Sequence, residues 1–88
     1  MPVIVTTRLE GMPTQAYDQT ADHLADALRS ADGFIAHAAA ADGDGVTVTE
    51  LWDDAGDWQR FFDVHVKPNV PRDLPPPAVV ELRNAIVR

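Results

Sequence analysis

The four residues Asp42-Gly43-Asp44-Gly45 constrain the fold of this chain more than any other part of it. Gly and Asp tolerate positive φ, and the tetrapeptide separates two extended segments, Phe34 to Ala41 and Val46 to Trp52, so a tight hairpin is expected. Before it, Val3 to Leu9 is β-branched and reads as a strand ended by Gly11 and Pro13. Thr14 is the expected N-cap of a helix running to about Ala31, with Tyr17, Ala21, Leu24 and Leu28 at helical spacing and Asp32-Gly33 closing it. After the hairpin, Asp53 or Asp54 caps a second helix that carries Trp58, Phe61, Phe62, His65 and Val66 on one face. Pro68 and Pro71 end that helix, and Leu74-Pro75-Pro76-Pro77 makes a stiff connector to a last strand, Val79 to Val87. The order is β-α-β-β-α-β over residues 1–88: one α+β, ferredoxin-like domain with a four-stranded antiparallel sheet and helices on one face.

The hairpin also sets cross-strand partners, because positions summing to 87 face each other whether the loop counts two or four residues. Ala41 then opposes Val46, Ala39 opposes Val48, His37 opposes Glu50 and Ile35 opposes Trp52, all on one sheet face. Phe34, Ala36, Ala38, Thr49 and Leu51 fall on the other. Both faces are largely apolar, and two helices cover only one. A homodimer is therefore expected, with two sheets packed face to face and the alanines at 36 and 38 to 41 permitting close approach.

Composition removes several classes of function. Seven basic against fourteen acidic residues give a net charge of −7, the wrong sign for a nucleic-acid partner. There is no cysteine, so disulfides and thiolate chemistry are excluded. Met1-Pro2-Val3-Ile4-Val5 lacks the basic start and long apolar run of a signal peptide, and no apolar stretch reaches the ~18 residues of a membrane span. A cytoplasmic protein without a membrane partner is expected.

Chemistry-bearing residues concentrate between Glu50 and His65, which hold both tryptophans, two of the three phenylalanines and one of the three histidines. Across the hairpin, the Glu50 carboxylate beside His37 favours the charged imidazole and orients one ring nitrogen; the plain alternative is a polar cross-strand pair. Ser30 is the only serine and lacks an elbow motif, and no phosphate-binding glycine loop occurs. Asp42-Gly43-Asp44-Gly45 lacks the later ligands of a calcium loop, and His23, His37 and His65 lie on separate elements, so no metal site is expected. Asp53, Asp54 and Asp57 read as helix-start capping groups. That leaves His65, His37 and Glu50 as candidate acid–base residues. Trp52, Trp58 and Phe62 are candidates to flank a flat ligand, with Tyr17 and Asn84 as polar contacts, each of which would otherwise serve as core or local packing.

Gly33-Phe34-Ile35-Ala36-His37, then Glu50-Leu51-Trp52-Asp53 leading into Asp57-Trp58-Gln59-Arg60-Phe61-Phe62, and finally His65-Val66-Lys67-Pro68, together resemble the antibiotic-biosynthesis-monooxygenase-like proteins of the dimeric α+β barrel superfamily. The resemblance covers nearly the whole chain. It implies a homodimer whose sheets form a barrel, with a pocket between helices and sheet in each subunit. Some relatives oxidise aromatic polyketides with molecular oxygen and no flavin or metal, and others degrade haem. The haem-degrading branch has an asparagine early in strand one, where this chain has Thr6, Thr7 and Arg8, and its histidine lies closer to the tryptophan than His65 does to Trp52.

The leading expectation is a dimer that binds a small aromatic molecule and acts as a cofactor-independent monooxygenase on polyketide- or quinone-type substrates. Such an enzyme deprotonates an electron-rich substrate in a dry pocket, with His65 or the His37–Glu50 pair as base. The alternative is a non-catalytic dimeric ligand-binding or interaction module. The two separate on whether Trp52, Trp58 and His65 surround a cavity of ~300 Å³ or more, or pack against one another.

Overall fold

The computed structural model describes residues 1–69 and 74–88. Its elements are β1 (Val3–Leu9), α1 (Thr14–Ser30), β2 (Phe34–Asp42), β3 (Gly45–Trp52), α2 (Ala55–Phe61) and β4 (Ala78–Glu81). The strands form one antiparallel sheet in the order β2-β3-β1-β4. Each helix therefore links two strands that have a third inserted between them, the split arrangement of a ferredoxin-like α+β fold.

The hairpin closes as a two-residue turn between the paired Asp42 and Gly45. Gly43 has φ +62° and no residue other than glycine has positive φ among those described, the sign pattern of a type II′ turn. Ala41↔Val46, Ala39↔Val48 and His37↔Glu50 pair as the sequence predicts. The pairing of Ile35 with Trp52 does not occur, because a bulge between Phe34 and Ala36 inserts one residue and brings Phe34 opposite Trp52. That step exchanges the two residues between faces. Phe34 packs edge-on to Trp52 with ring centroids 5.4 Å apart, while Ile35 is left 41% exposed.

The covered face holds the core. Val3, Val5, Leu28, Trp52 and Phe61 form one buried cluster, with Ala27, Ala31, Phe34, Trp58 and Val66 packed around it. Trp52 has no exposed surface, and a side chain of this size contributes ~3 kcal/mol of burial. The opposite face takes Ile4, Thr6, Ala36, Ala38, Thr49, Leu51 and Val80 by register, and Val80 is 57% exposed.

Pro13, not Thr14, occupies the cap position of α1; its extended backbone makes no side-chain cap, and its carbonyl accepts from the Tyr17 N–H at 3.1 Å. Asp54 caps α2 by accepting the Gly56 N–H at 2.9 Å, which also holds its carboxyl below the usual carboxylate range. Beyond α2 the chain does not continue as a regular helix. Phe62–Val66 is a π-helical turn in which the Lys67 N–H reaches back to the Phe62 carbonyl, followed by a 3-10 turn, Lys67–Asn69, that contains Pro68. Pro71, the second expected breaker, lies outside the described residues. β4 is shorter than the strand to Val87 that the alternation suggests. Its pairing with β1 ends at Val3↔Glu81, followed by one further bond in which the Leu82 N–H donates to the Pro2 carbonyl at 2.9 Å. No described helix is long and apolar enough to cross a membrane.

Candidate functional site

Two residues before Trp52, on the same sheet face, β3 carries Glu50, and β2 places His37 directly opposite. His37 Nδ1 lies 2.5 Å from Glu50 Oε2, and the indole Nε1 of Trp52 donates to Glu50 Oε1 at 3.1 Å. Tyr17, on the second turn of α1, brings its hydroxyl to 2.5 Å from His37 Nε2 with the two rings nearly parallel. Four side chains from three elements thus form one hydrogen-bonded chain, Trp52–Glu50–His37–Tyr17.

Donor chemistry assigns the direction of these bonds. An indole N–H only donates, and a carboxylate only accepts, so Glu50 receives from both Trp52 and His37 Nδ1. The neutral imidazole then carries its proton on Nδ1 and offers Nε2 as acceptor, and the Tyr17 O–H donates to it. Burial, followed by the charges of Glu50 and Asp18, raises the Tyr17 phenol above its ordinary range, which keeps that donor protonated. The side chains of His37 and Glu50 are only 23% and 12% exposed, so a carboxylate this far from water depends on those two donors.

Tyr17, His37 and Glu50 form the polar end of a cavity of about 400 Å³ between the sheet and the helices. Its walls are otherwise mostly apolar: Leu24 and Leu28 from α1, Val48 from β3, and Trp58, Phe61, Phe62 and Val66 from α2 and the π turn. Trp58 and Phe62 pack on each other with centroids 5.4 Å apart. π turns within α-helices recur at functional sites, and here Phe62 and Val66 at its two ends both reach the cavity.

Of the residues the sequence singles out, Tyr17, His37, Glu50, Trp58 and Phe62 are brought together on this cavity, and three are not. Trp52 is corrected from ligand wall to core: Phe34, Phe61 and the facing Val3 fill the space around it, and only its indole N–H reaches toward the site. His65 is not among the described residues that line the cavity. Its ring leans on Phe61 at 4.9 Å, and its carbonyl accepts from the Asn69 side chain at 2.7 Å. Asn84 is exposed and lies beyond the end of β4, so it points into no apolar layer. Sequence reasoning did not join Tyr17 to His37 or Trp52 to Glu50. The second link had a signal, since residues two apart on a strand share a face; the first had none, because no periodicity tells which strand a helix crosses. Among the described residues no three His, Asp or Glu side chains converge as metal ligands.

No protein-family model matches the sequence, and no curated protein matches it. Solved structures do. The chain superposes on Rv0793 from Mycobacterium tuberculosis with a TM-score of 0.67 at 22% identity, over 99% of this chain and 98% of that one. It matches the heme-free structure of the heme-degrading protein Rv3592 from the same organism at TM-score 0.66 and 18% identity, over 99% and 100% of the two chains. The structure of that protein with two hemes bound in its active site matches at 0.58 and 15%, with the same coverage. These likenesses establish the fold, a ferredoxin-like α+β domain.

Proposed function

We propose that this domain binds a flat, largely apolar molecule in the cavity and removes a proton from it, acting as a cofactor-independent monooxygenase on aromatic, quinone-forming substrates. The observation that carries the reading is the conjunction of a cavity of about 400 Å³, aromatic on one side, with the Glu50–His37–Tyr17 chain at its polar end. His37 is the base. A substrate proton passes to the Tyr17 oxygen as the Tyr17 proton moves to His37 Nε2, leaving an imidazolium beside the Glu50 carboxylate. The electron-rich substrate anion is then held against Trp58 and Phe62, where molecular oxygen is the oxidant: an anthrone methylene and O₂ give a quinone carbonyl and water.

Haem chemistry of the kind named for Rv3592 does not fit these residues. Both ring nitrogens of His37 are engaged, His65 is off the cavity wall, and no lysine or arginine among the described residues lines the cavity to meet a propionate. The open sheet face supports the dimer: Ile4, Leu51 and Val80 lie together there with small residues around them, as a face meant for a second copy would. Sedimentation at micromolar concentration is expected to show the dimer.

The test is oxygen uptake with a panel of hydroxyanthrones. Turnover is expected, and in His37→Gln it is expected to fall by ~100-fold, as loss of a general base does. Binding of these compounds without oxygen uptake would replace the reading with that of a non-catalytic ligand-binding module.

A further inference from the structure

The polar end of the cavity has a proton inventory, and all of it is spent internally. The Trp52 N–H and the His37 Nδ1–H both go to Glu50, and the Tyr17 O–H goes to His37 Nε2. Every hydrogen in the chain points away from the cavity and toward the carboxylate. What the chain offers a ligand is therefore lone pairs: those on the Tyr17 oxygen, and the remaining ones on Glu50. Tyr17 is thus an acceptor toward the cavity.

Charge works in the same direction. Glu50 is a carboxylate at the edge of an apolar cavity, and Asp18 adds a second negative charge near Tyr17, strongly enough that both raise the phenol's proton affinity. Among the described residues no lysine or arginine lines the cavity to offset them. An incoming anion would lose its hydration, receive no hydrogen bond from Tyr17, His37 or Glu50, with only the side chains of Thr7, Gln19, Thr20 and Asn69 as other polar groups on the wall, and sit near a like charge in surroundings that screen it poorly.

We infer that the cavity selects an uncharged ligand that donates a hydrogen bond, a neutral phenol or enol, to the Tyr17 oxygen, and rejects both carboxylates and acceptor-only molecules of the same shape. The inference rests on the small-molecule reading of the cavity and adds its selectivity. Glu50 and Trp52 are positioning residues here: they aim His37, which in turn takes up the Tyr17 proton.

The test compares three flat probes that differ in one group: 2-hydroxyanthraquinone, 2-methoxyanthraquinone and anthraquinone-2-carboxylate. It is run near pH ~7, above the ordinary imidazole value of ~6.5 and below that of a phenol, so that the His37 Nε2 lone pair is available, the phenol is mostly neutral and the carboxylate is ionised. The hydroxyl compound is expected to bind ~10-fold more tightly than the methyl ether, the value of one satisfied buried hydrogen bond, and the carboxylate at least ~10-fold more weakly than the hydroxyl. In Tyr17→Phe the preference for hydroxyl over methoxy is expected to vanish. In Glu50→Gln the penalty on the carboxylate is expected to shrink. Equal affinity for all three in the unmodified protein, or tighter binding of the carboxylate, would overturn the inference while leaving the cavity a binding site. Binding of none of the three would overturn the small-molecule reading itself. Because the main comparison uses the unmodified chain, it stands even where a variant fails to fold.

Discussion

Trp52 and Glu50 stand two residues apart on β3 and face the same side of the sheet, yet they belong to different worlds. Trp52 is fully buried, boxed in by Phe34 and Phe61. Glu50 borders a cavity of about 400 Å³, with Val5 facing it on β1 and with His37 and, through it, Tyr17 joined to it by hydrogen bonds. One strand with one alternating pattern thus supplies both a dry core and a candidate site, and the difference lies in what is placed over it. Above Trp52 come rings that pack; above Glu50 comes a phenol that hydrogen-bonds. Phe61 is the partition, since it belongs to the core cluster and also lines the cavity. The indole N–H of Trp52 crosses that partition to hold the carboxylate, so the rigid region sets the geometry of the open one.

The comparison breaks most plainly under truncation. Trp52→Ala is expected to cost ~3–5 kcal/mol in chemical denaturation, the range for removing a large ring from a packed core. Trp58→Ala, at a half-buried position on the cavity, is expected to cost ~1–2 kcal/mol and to weaken binding of the anthraquinone probes instead. Equal costs would mean that the cavity is core after all. A backbone change at the core end comes next. Gly33 has φ +81°, and a Cβ there would run into the Asp57 side chain, while its carbonyl accepts from the Asp53 N–H beside Trp52. Gly33→Ala is expected to lower stability by ~1–2 kcal/mol and to leave probe affinity unchanged, as measured on the fraction that stays folded.

The smallest effect sharpens the site end. Tyr17 is the chain's single tyrosine, so tyrosinate absorbance reports it alone. Its midpoint is expected above the ordinary phenol value of ~10, and in Glu50→Gln it is expected to move back down as one of its two nearby negative charges is removed. The sign for stability follows. With the folded value above the unfolded one, the folded chain binds the proton more tightly. The contribution is whole below about pH 10 and is lost as pH rises through the folded value. A midpoint at or below ~10 would contradict the buried, anion-flanked placement of Tyr17.

Much of this is legible in the sequence. The Asp42–Gly45 hairpin carries its own register, and from it the His37–Glu50 pair follows by counting; the element order follows from turn residues and helical spacing. What stayed hidden has physical reasons. The bulge at Phe34–Ala36 inserts one residue without any turn-forming side chain, so nothing in Phe-Ile-Ala marks it, and plain alternation puts Ile35 where Phe34 belongs. The π turn uses the same residues a regular helix would. The length of β4 depends on how far it pairs with β1, not on its own alternation, so the alternation through Asn84 does not mark strand. The sequence marks Tyr17 as a polar contact for a ligand, but its partner is set by how α1 crosses the sheet.

The most direct test of the contrast watches the two indole N–H groups by proton–nitrogen NMR, since the chain has only two tryptophans. In deuterated buffer the Trp52 signal, buried and bonded to Glu50, is expected to survive until the whole protein unfolds, while the Trp58 signal fades orders of magnitude sooner. Adding 2-hydroxyanthraquinone is expected to shift the Trp58 signal strongly. If both signals exchange at one slow rate and Trp58 does not respond to the probe, the region around Glu50, Tyr17 and Trp58 is closed core and the two ends of the sheet face are alike.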